Sequence, residues 1–244
     1  MGRKLLIMPI YETSSEEIRP LIIVPTYNEQ ASIEIIIRKL TAMGIDYLIS
    51  DGRSTDNTIS LIQKHNAPYF IREYPDTGYG AGINRAMAIA EEKGYNAIVL
   101  IDCDDSYPID QIPMLIRHLD KYDLVIGVRQ FQYISTPVRK LGNIFFRFLT
   151  NFLYDGNYAD VLSGMRAFRL SKFKDRIDNN HFGWIPHMNC IALIEKMKIK
   201  EVPITYSKRL GDSKLKFRDG VEVFRYILKE KLNTKKCDHR KPVA

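Results

Sequence analysis

The stretch "PLIIVPTYNE" (residues 20–29) is an apolar run that ends in polar residues, and a helical apolar pattern follows it over residues 33–40. The same order recurs along the chain, with apolar runs at 46–52, 96–102 and 123–129. Apolar strands that alternate with helices form right-handed crossovers, and therefore a mostly parallel sheet. We expect an α/β fold whose sheet is covered by helices on both faces.

Two residues mark the expected starts of helices. Asn28 is a candidate N-cap for the first helix, and Pro113 fits the first turn of the helix that follows the third apolar run. The glycines of "PDTGYGAG" (75–82) superficially suggest a dinucleotide fingerprint, but their G-x-G-x-G spacing is wrong and no strong strand precedes them. We interpret this stretch as a loop that precedes a helix.

The composition indicates one catalytic-size domain, because 244 residues with 45% hydrophobic content suffice for a single α/β core. Residues 1–199 hold 23 basic and 23 acidic side chains, so the whole net charge of +7 lies in residues 200–244. A basic tail of this kind binds nucleic acid, an anionic membrane surface or an acidic substrate, or it has no partner and only aids solubility. We set nucleic acid aside for two reasons. The sequence holds no aromatic-interleaved RNA motif, and it contains several acidic clusters, which would repel a nucleic acid.

The cysteine positions and the hydropathy of the sequence indicate the cellular compartment in which the protein is expected. Cys103, Cys190 and Cys237 stand at unrelated positions, which fits neither a disulfide framework nor a metal-binding pair and favours a reducing environment. The first residues lack the apolar length of a signal peptide, and no run reaches the roughly 18 apolar residues of a membrane span. We expect a cytoplasmic protein that is soluble or peripheral to a membrane.

Acidic residues follow three of the expected strands, in "TYNE" (26–29), "SDGRSTDNT" (50–58) and "DCDDSYP" (102–108). Ligands of parallel sheets bind beyond the carboxyl ends of the strands, so these clusters are expected to meet at one edge. The carboxylates gathered there are Glu29, Asp51, Asp102 and Asp104. Crowded carboxylates repel one another unless a cation offsets them, and Mg²⁺ or Mn²⁺ shared with phosphate oxygens would do so.

These motifs carry a resemblance to a known family. "VPTYNE", "SDGRSTDNT", the D-x-D of "LIDCDDSYP", "DVLSGMRAFR" (160–169) and "GDSKL" (211–215) occur in the order seen in glycosyltransferase family 2. Over residues 20–228 the chain resembles, more narrowly, the catalytic domain of polyprenyl-phosphate hexosyltransferases such as dolichol-phosphate mannose synthase. The resemblance implies a GT-A (Rossmann-like) fold and an inverting transfer of a hexose, mannose or glucose, from a GDP- or UDP-sugar to a polyprenyl phosphate.

The resemblance also implies roles for individual residues. The nucleotide would be bound by Pro25, Tyr27, Glu29, Asp51 and Asp102. Metal would be held by Asp102 and, as the chief ligand, Asp104. Catalysis would further involve Arg129 and Ser163, and the acceptor phosphate would be bound by Arg129, Ser163, Arg209 and Lys214. The family pattern is broken at Ser106, where a Gln is common, and at His187 and Asn189, in a stretch where an acidic residue is common.

Acceptor chemistry separates the alternatives. A phosphate monoester is an anion near neutral pH, with a second pKa of about 6, so it needs positioning rather than a general base. Guanidinium groups suit that task, and Arg139, Arg166 and Arg169 are further candidates. A hydroxyl acceptor on a glycan would instead require a base, for which Asp160 is the best positioned residue. A non-catalytic nucleotide-sugar-binding protein would not need the Asp102/Asp104 pair.

Two amphipathic stretches indicate contact with a membrane. Residues 138–154 and 221–236 combine large apolar residues with basic ones, a pattern suited to helices at an anionic membrane surface. The alternative is that the first helix covers the sheet and the second caps the domain. We divide the chain into an N-terminal extension (1–19), a catalytic domain (20–220) and a basic amphipathic C-terminal helix with its tail (221–244). The predicted location is the cytoplasmic face of a membrane, and a membrane-anchored subunit is a further candidate partner.

Overall fold

The computed structural model describes residues 17–71, 78–130, 137–177, 181–211 and 217–238, with their side chains except at 139, 217, 218 and 233–238. These residues form a seven-stranded sheet in the order β3-β2-β1-β4-β6-β5-β7. The strands are β1 (Pro20–Thr26), β2 (Tyr47–Asp51), β3 (Tyr69–Ile71), β4 (Ala97–Leu100), β5 (Leu124–Arg129), β6 (Arg166–Arg169) and β7 (Ile199–Ile204).

The sheet is mostly parallel, as the sequence predicts. β1 pairs in parallel with β2 and β4, β2 with β3, and β5 with β7, whereas β6 runs antiparallel to both β4 and β5. The apolar runs predict β1, β2, β4 and β5 and miss the other three strands. β3 is only three residues long, β6 carries an arginine at each end, and β7 contains two adjacent charged residues and Pro203.

Helices cover both faces of the sheet. The described helices are α1 (Ile33–Met43), α2 (Thr58–Lys64), α3 (Tyr79–Glu92), α4 (Ile112–His118), α5 (Pro137–Tyr154), α6 (Leu170–Phe173), α7 (Trp184–Ile194) and α8 (Phe217–Asp238). Alternation along β1 directs Ile22 and Val24 to one core, with α1, α2 and α4, and Leu21 and Ile23 to the other, with α3, α6 and α7. Successive side chains of a buried strand thus supply two cores.

Helices α5 and α8 lie outside these two cores and pack against α7. Cys190 of α7 forms a small apolar cluster with Val223 and Ile227 of α8, and the Tyr154 hydroxyl donates a hydrogen bond to the carbonyl of Ile227 at 2.6 Å. The opposite side of α5 is exposed and carries an apolar stripe at helical spacing, formed by Leu141, Phe145, Phe148 and Phe152. None of the described helices combines the length and hydrophobicity that crossing a membrane requires.

Local details test the predicted helix starts. Pro113 lies in the first turn of α4, as expected. Asn28 is not the N-cap of α1, because that helix begins at Ile33, and Asn28 has a φ of 52° while its side-chain oxygen accepts the N–H of Thr55 at 2.7 Å. Gly80 and Gly82 are not in a loop, since α3 begins at Tyr79 and both glycines are buried in its first turns.

Candidate active site

The loops that follow β1 and β2 are joined by hydrogen bonds at the carboxyl edge of the sheet. The N–H of Asn28 donates to the Ser54 hydroxyl at 2.8 Å, and the N–H of Glu29 donates to the Thr58 hydroxyl at 2.9 Å. The Asp51 carboxylate is fully buried and accepts from the N–H and the hydroxyl of Ser54, at 2.9 and 2.6 Å. Polar residues of the two motifs therefore hold one another in a fixed arrangement.

The residues assigned to the nucleotide differ in exposure along this edge. Pro25 is buried within β1, whereas Tyr27, just beyond the strand, is 42% exposed and available for stacking. The carboxylate of Glu29 is buried and lies 3.4 Å from the Ser32 hydroxyl. The structure brings these residues together with Asp51 at one edge, while their contact with a nucleotide stays a prediction.

The Asp104 carboxylate is held by several contacts, and the residue is 3% exposed. Its Oδ1 accepts the N–H of Ser106 at 3.0 Å and also the Ser106 hydroxyl, while its Oδ2 lies 3.1 Å from the guanidinium of Arg209. The backbone beside Arg209 is fixed as well, because the N–H of Leu210 donates to the carbonyl of Asp104 at 2.8 Å. Ser106, where the family commonly has Gln, thus orients Asp104.

Asp102 precedes Asp104 by two residues, and the pKa of its carboxyl group is shifted. Burial, together with the nearby charge of Asp104, raises the pKa of Asp102 to about 7, even though the positive charges of Arg129 and Arg209 act in the opposite direction. Asp102 and Asp104 therefore place two carboxyl groups close together, with the positive charges of Arg129 and Arg209 nearby. A cation bound beside Asp102 would favour its ionised form.

The residues present fit a hard divalent metal. Within the described part of the chain, no cluster of three or more His, Cys, Asp and Glu side chains forms a complete protein cage. Mg²⁺ and Mn²⁺ often take one or two carboxylates and complete their shell with phosphate oxygens and water. Asp102 and Asp104 supply such a pair of oxygen ligands, in the same segment as the predicted nucleotide site. Their role as metal ligands stays a prediction.

Arg129 forms a buried ion pair with Asp160. Its Nε and Nη2 donate to the two carboxylate oxygens at 2.7 and 2.8 Å, and Asn143 of α5 donates to the same carboxylate at 3.0 Å. Burial raises the pKa of Asp160, but the hydrogen bonds and charge of Arg129 outweigh it and hold this pKa below its ordinary value. Asp160 is thereby a poor general base, which argues against the role that a hydroxyl acceptor would require of it.

Hydrogen bonds from buried side chains hold the segment that follows Asp160 in place. Ser163 is fully buried and its hydroxyl donates to the carbonyl of Gly127 at 2.5 Å. Arg166 is also fully buried, and its guanidinium donates to the carbonyls of Val161 and Ser163 and to the Asn189 side chain. Asn189 therefore supports this segment, and Arg166 is a structural cation here. Arg169 donates to the carbonyl of Leu119.

Two assigned side chains fall outside the described part of the chain, and the motifs missed some neighbours of the site. Lys214 is outside the described residues, as is the side chain of Arg139. His187 is buried on α7, with its Nε2 3.6 Å from the Glu230 carboxylate of α8. The residues that the motifs did not single out are Asn143, Tyr107 and Tyr206. Their contacts reach across 17 to 77 positions of the chain, and no local pattern encodes them.

Comparison with known proteins establishes the family. The model of "Glycosyl transferase family 2" matches residues 21–177. The chain belongs to glycosyltransferase family 2. It is 30% identical to a dolichyl-phosphate hexose transferase of Haloferax volcanii, over 85% of this chain and 92% of that one, and 28% identical to an undecaprenyl-phosphate mannosyltransferase of Micrococcus luteus, over 81% and 87%.

The fold of this family 2 member is likewise found among solved structures. Glucosyl-3-phosphoglycerate synthase from Mycobacterium tuberculosis, in complex with Mn²⁺, uridine diphosphate and glucosyl-3-phosphoglycerate, superimposes with a TM-score of 0.71. The match covers 86% of this chain and 79% of that one at 20% sequence identity. The predicted family and the predicted GT-A sheet are confirmed, and the chain is a glycosyltransferase.

Proposed function

We propose that this glycosyltransferase moves a hexose from a GDP- or UDP-sugar to a polyprenyl phosphate, with inversion, at the cytoplasmic face of a membrane. One observation carries the proposal: the guanidinium of Arg209 lies 3.1 Å from the Asp104 carboxylate, and the charges of Arg129 and Arg209 act to lower the pKa of Asp102. Cations that suit a phosphate therefore border the acidic pair that suits a metal-bound nucleotide. The relatives support it, since their names specify dolichyl phosphate and undecaprenyl phosphate as acceptors.

On the donor side, the acidic pair would hold Mg²⁺ or Mn²⁺ against the diphosphate. The metal supplies charge that stabilises the nucleoside diphosphate as it leaves. Ser106 fixes the orientation of Asp104 through two hydrogen bonds, and Asp102 would contact both the nucleotide and the sugar. Arg209 now lies against Asp104 and 3.9 Å from Glu29, so its charge is available to phosphate oxygens that enter between these groups.

On the acceptor side, the reaction needs no base from the protein. A phosphate oxygen forms the new bond to the anomeric carbon while the bond to the nucleoside diphosphate breaks on the opposite face, which inverts the configuration. The phosphate monoester is already anionic near neutral pH. Arg129 keeps its guanidinium in place through the Asp160 carboxylate and over the Tyr206 ring, 5.5 Å from the ring centroid. Arg129, Ser163, Arg209 and Lys214 stay the proposed phosphate contacts, although the Ser163 hydroxyl would have to release its hydrogen bond to the carbonyl of Gly127.

A partition assay tests this function. Purified protein is incubated with a short polyprenyl phosphate, Mg²⁺ or Mn²⁺, and labelled GDP- and UDP-hexoses, and label that enters the organic phase is counted. We expect one donor to give metal-dependent transfer that EDTA abolishes. Metal-dependent nucleotide binding without transfer to lipid from any donor would contradict the lipid acceptor and favour a hydroxyl acceptor on a glycan.

The apolar stripe of α5 supports the membrane location. Residues 137–154 hold Arg139, Lys140 and Arg147 and no acidic residue, so the sequence of α5 combines apolar and positive groups only. The helix is connected to the phosphate site directly, because Asn143 donates to Asp160 and Pro137 follows Arg129 by eight positions. A lipid surface that covers the stripe would contact the same helix whose Asn143 supports the Arg129–Asp160 pair.

Replacing Phe148 and Phe152 together with serine is expected to weaken vesicle binding about tenfold or more, since both rings are exposed, at 66% and 74%, and would enter the lipid interface. Sedimentation with vesicles that contain anionic lipid measures this, and added salt should weaken the binding of the unmodified protein. Ile71→Ser, at an exposed apolar site on the sheet edge, is the matched control. Equal binding of both variants would contradict the membrane proposal and leave a membrane-anchored subunit as the occupant of the stripe.

A further inference from the structure

Tyr107 joins the two halves of the site. It follows the acidic segment, is 4% exposed, and its hydroxyl accepts the N–H of Gly164 at 2.7 Å. Its ring packs edge to face on Tyr206, with 5.1 Å between the centroids, and Tyr206 in turn lies beneath the guanidinium of Arg129. One side chain therefore contacts both the backbone beside Asp102 and the support of Arg129.

Gly164 faces the Asp102 carboxyl at close range. A Cβ at position 164 would lie 2.6 Å from Oδ2 and 2.8 Å from Oδ1 of Asp102, closer than side chains approach in real structures. The space that a side chain at position 164 would need is therefore taken up by the Asp102 carboxyl group. Any movement of Gly164 changes the space in which Asp102 is confined.

We propose that Tyr107 is a positioning residue for the transfer reaction. Its hydroxyl anchors Gly164, and through Gly164 it places the Asp102 carboxyl; its ring holds Tyr206 beneath Arg129. Tyr107 thereby sets the separation between the carboxylate of the donor side and the guanidinium of the acceptor side. The inference rests on the proposed function for the roles of those two groups, but the contacts themselves do not depend on which acceptor is used.

Tyr158 offers a matched control for a role in folding alone. It is also 4% exposed, and its hydroxyl also makes a hydrogen bond to the backbone, to the carbonyl of Asn189 at 3.1 Å. Tyr107→Phe and Tyr158→Phe each remove one buried hydroxyl that is hydrogen-bonded to a backbone group. Both are expected to lower the melting temperature by a similar amount, about 2–4 °C.

The two variants are expected to differ in binding and catalysis. In Tyr107→Phe, the affinity for GDP or UDP in the presence of Mn²⁺, measured by calorimetry, should fall about tenfold, because Asp102 is less well placed. Its kcat should fall by about a further tenfold, since small displacements of reacting groups are costly. Tyr158→Phe should retain both values. Equal nucleotide affinity and kcat in the two folded variants would overturn the inference.

Gly164→Ala tests the same chain of contacts without touching the tyrosine. The added methyl group should displace the Asp102 carboxyl and reproduce the loss of Mn²⁺-dependent nucleotide affinity, and the double variant should lose little more than either single one. Unchanged affinity in Gly164→Ala would overturn the inference even if Tyr107→Phe failed to fold. Because nucleotide binding needs no lipid, this test remains decisive if polyprenyl phosphate proves to be the wrong acceptor.

Discussion

Replacing Asp104 with asparagine is expected to reduce sugar transfer about a thousandfold while leaving the fold intact. Asparagine keeps the shape of the side chain, and its carbonyl oxygen can still accept the two hydrogen bonds from Ser106. What is lost is the negative charge, and a metal ion contributes several kcal/mol to a phosphoryl leaving group, where each 1.36 kcal/mol is about a factor of ten in rate. Measurements of kcat and of Mn²⁺ binding, with circular dichroism for the fold, check this result.

Asp105→Asn is the control for this variant. Asp105 is the next residue, but its carboxylate pairs with Lys39 of α1 at 2.6 Å instead of facing Arg209. Its φ of 57° suits asparagine, so the backbone should accept the change. We expect Asp105→Asn to retain activity. Full activity of Asp104→Asn, together with inhibition by EDTA, would place the metal elsewhere in the protein.

The sequence predicts those parts of the fold that have a local signal. β1, β2, β4 and β5 are continuous apolar runs, and the buried sheet requires that pattern. β6 is central and buried, yet it reads "RAFR", because the donors of its first arginine are satisfied in the interior by hydrogen bonds to Val161, Ser163 and Asn189. A buried arginine with partners distant in sequence resembles a surface residue until the fold is known.

The candidate site shows the same division. The acidic pair is recognisable because Asp102 and Asp104 follow an apolar strand, and the structure places both at the carboxyl edge of the sheet. The role of Asp160 could not be predicted from its local sequence. Its partners Arg129 and Asn143 lie 31 and 17 positions away, and only their convergence converts a candidate base into the counter-ion of a guanidinium. The sequence predicts a site whose residues all follow one strand. It does not predict a role that depends on ion pairs and hydrogen bonds between residues distant in the chain.

Asp160→Asn is expected to destabilise the protein by about 3–5 kcal/mol, which corresponds to a fall in melting temperature of about 10 °C. The side chains of Arg129 and Asp160 are 12% and 4% exposed, so the change leaves a buried guanidinium without its counter-charge. Replacing both residues by apolar ones, as Arg129→Met with Asp160→Leu, should recover much of the stability but not the activity, since Arg129 is a proposed phosphate contact. Urea unfolding and the partition assay measure the two effects separately.

The stability that Asp160 contributes is expected to change with pH in a definite direction. The folded pKa of Asp160 is depressed, so its contribution to stability is present above the unfolded value of about 3.9 and is lost as the pH falls through the folded value. The stability difference between the unmodified protein and Asp160→Asn should therefore be constant near neutrality and shrink below about pH 4. A general base would behave differently: Asp160→Asn would lose turnover at unchanged stability, and the acceptor would then be a hydroxyl group instead of a phosphate.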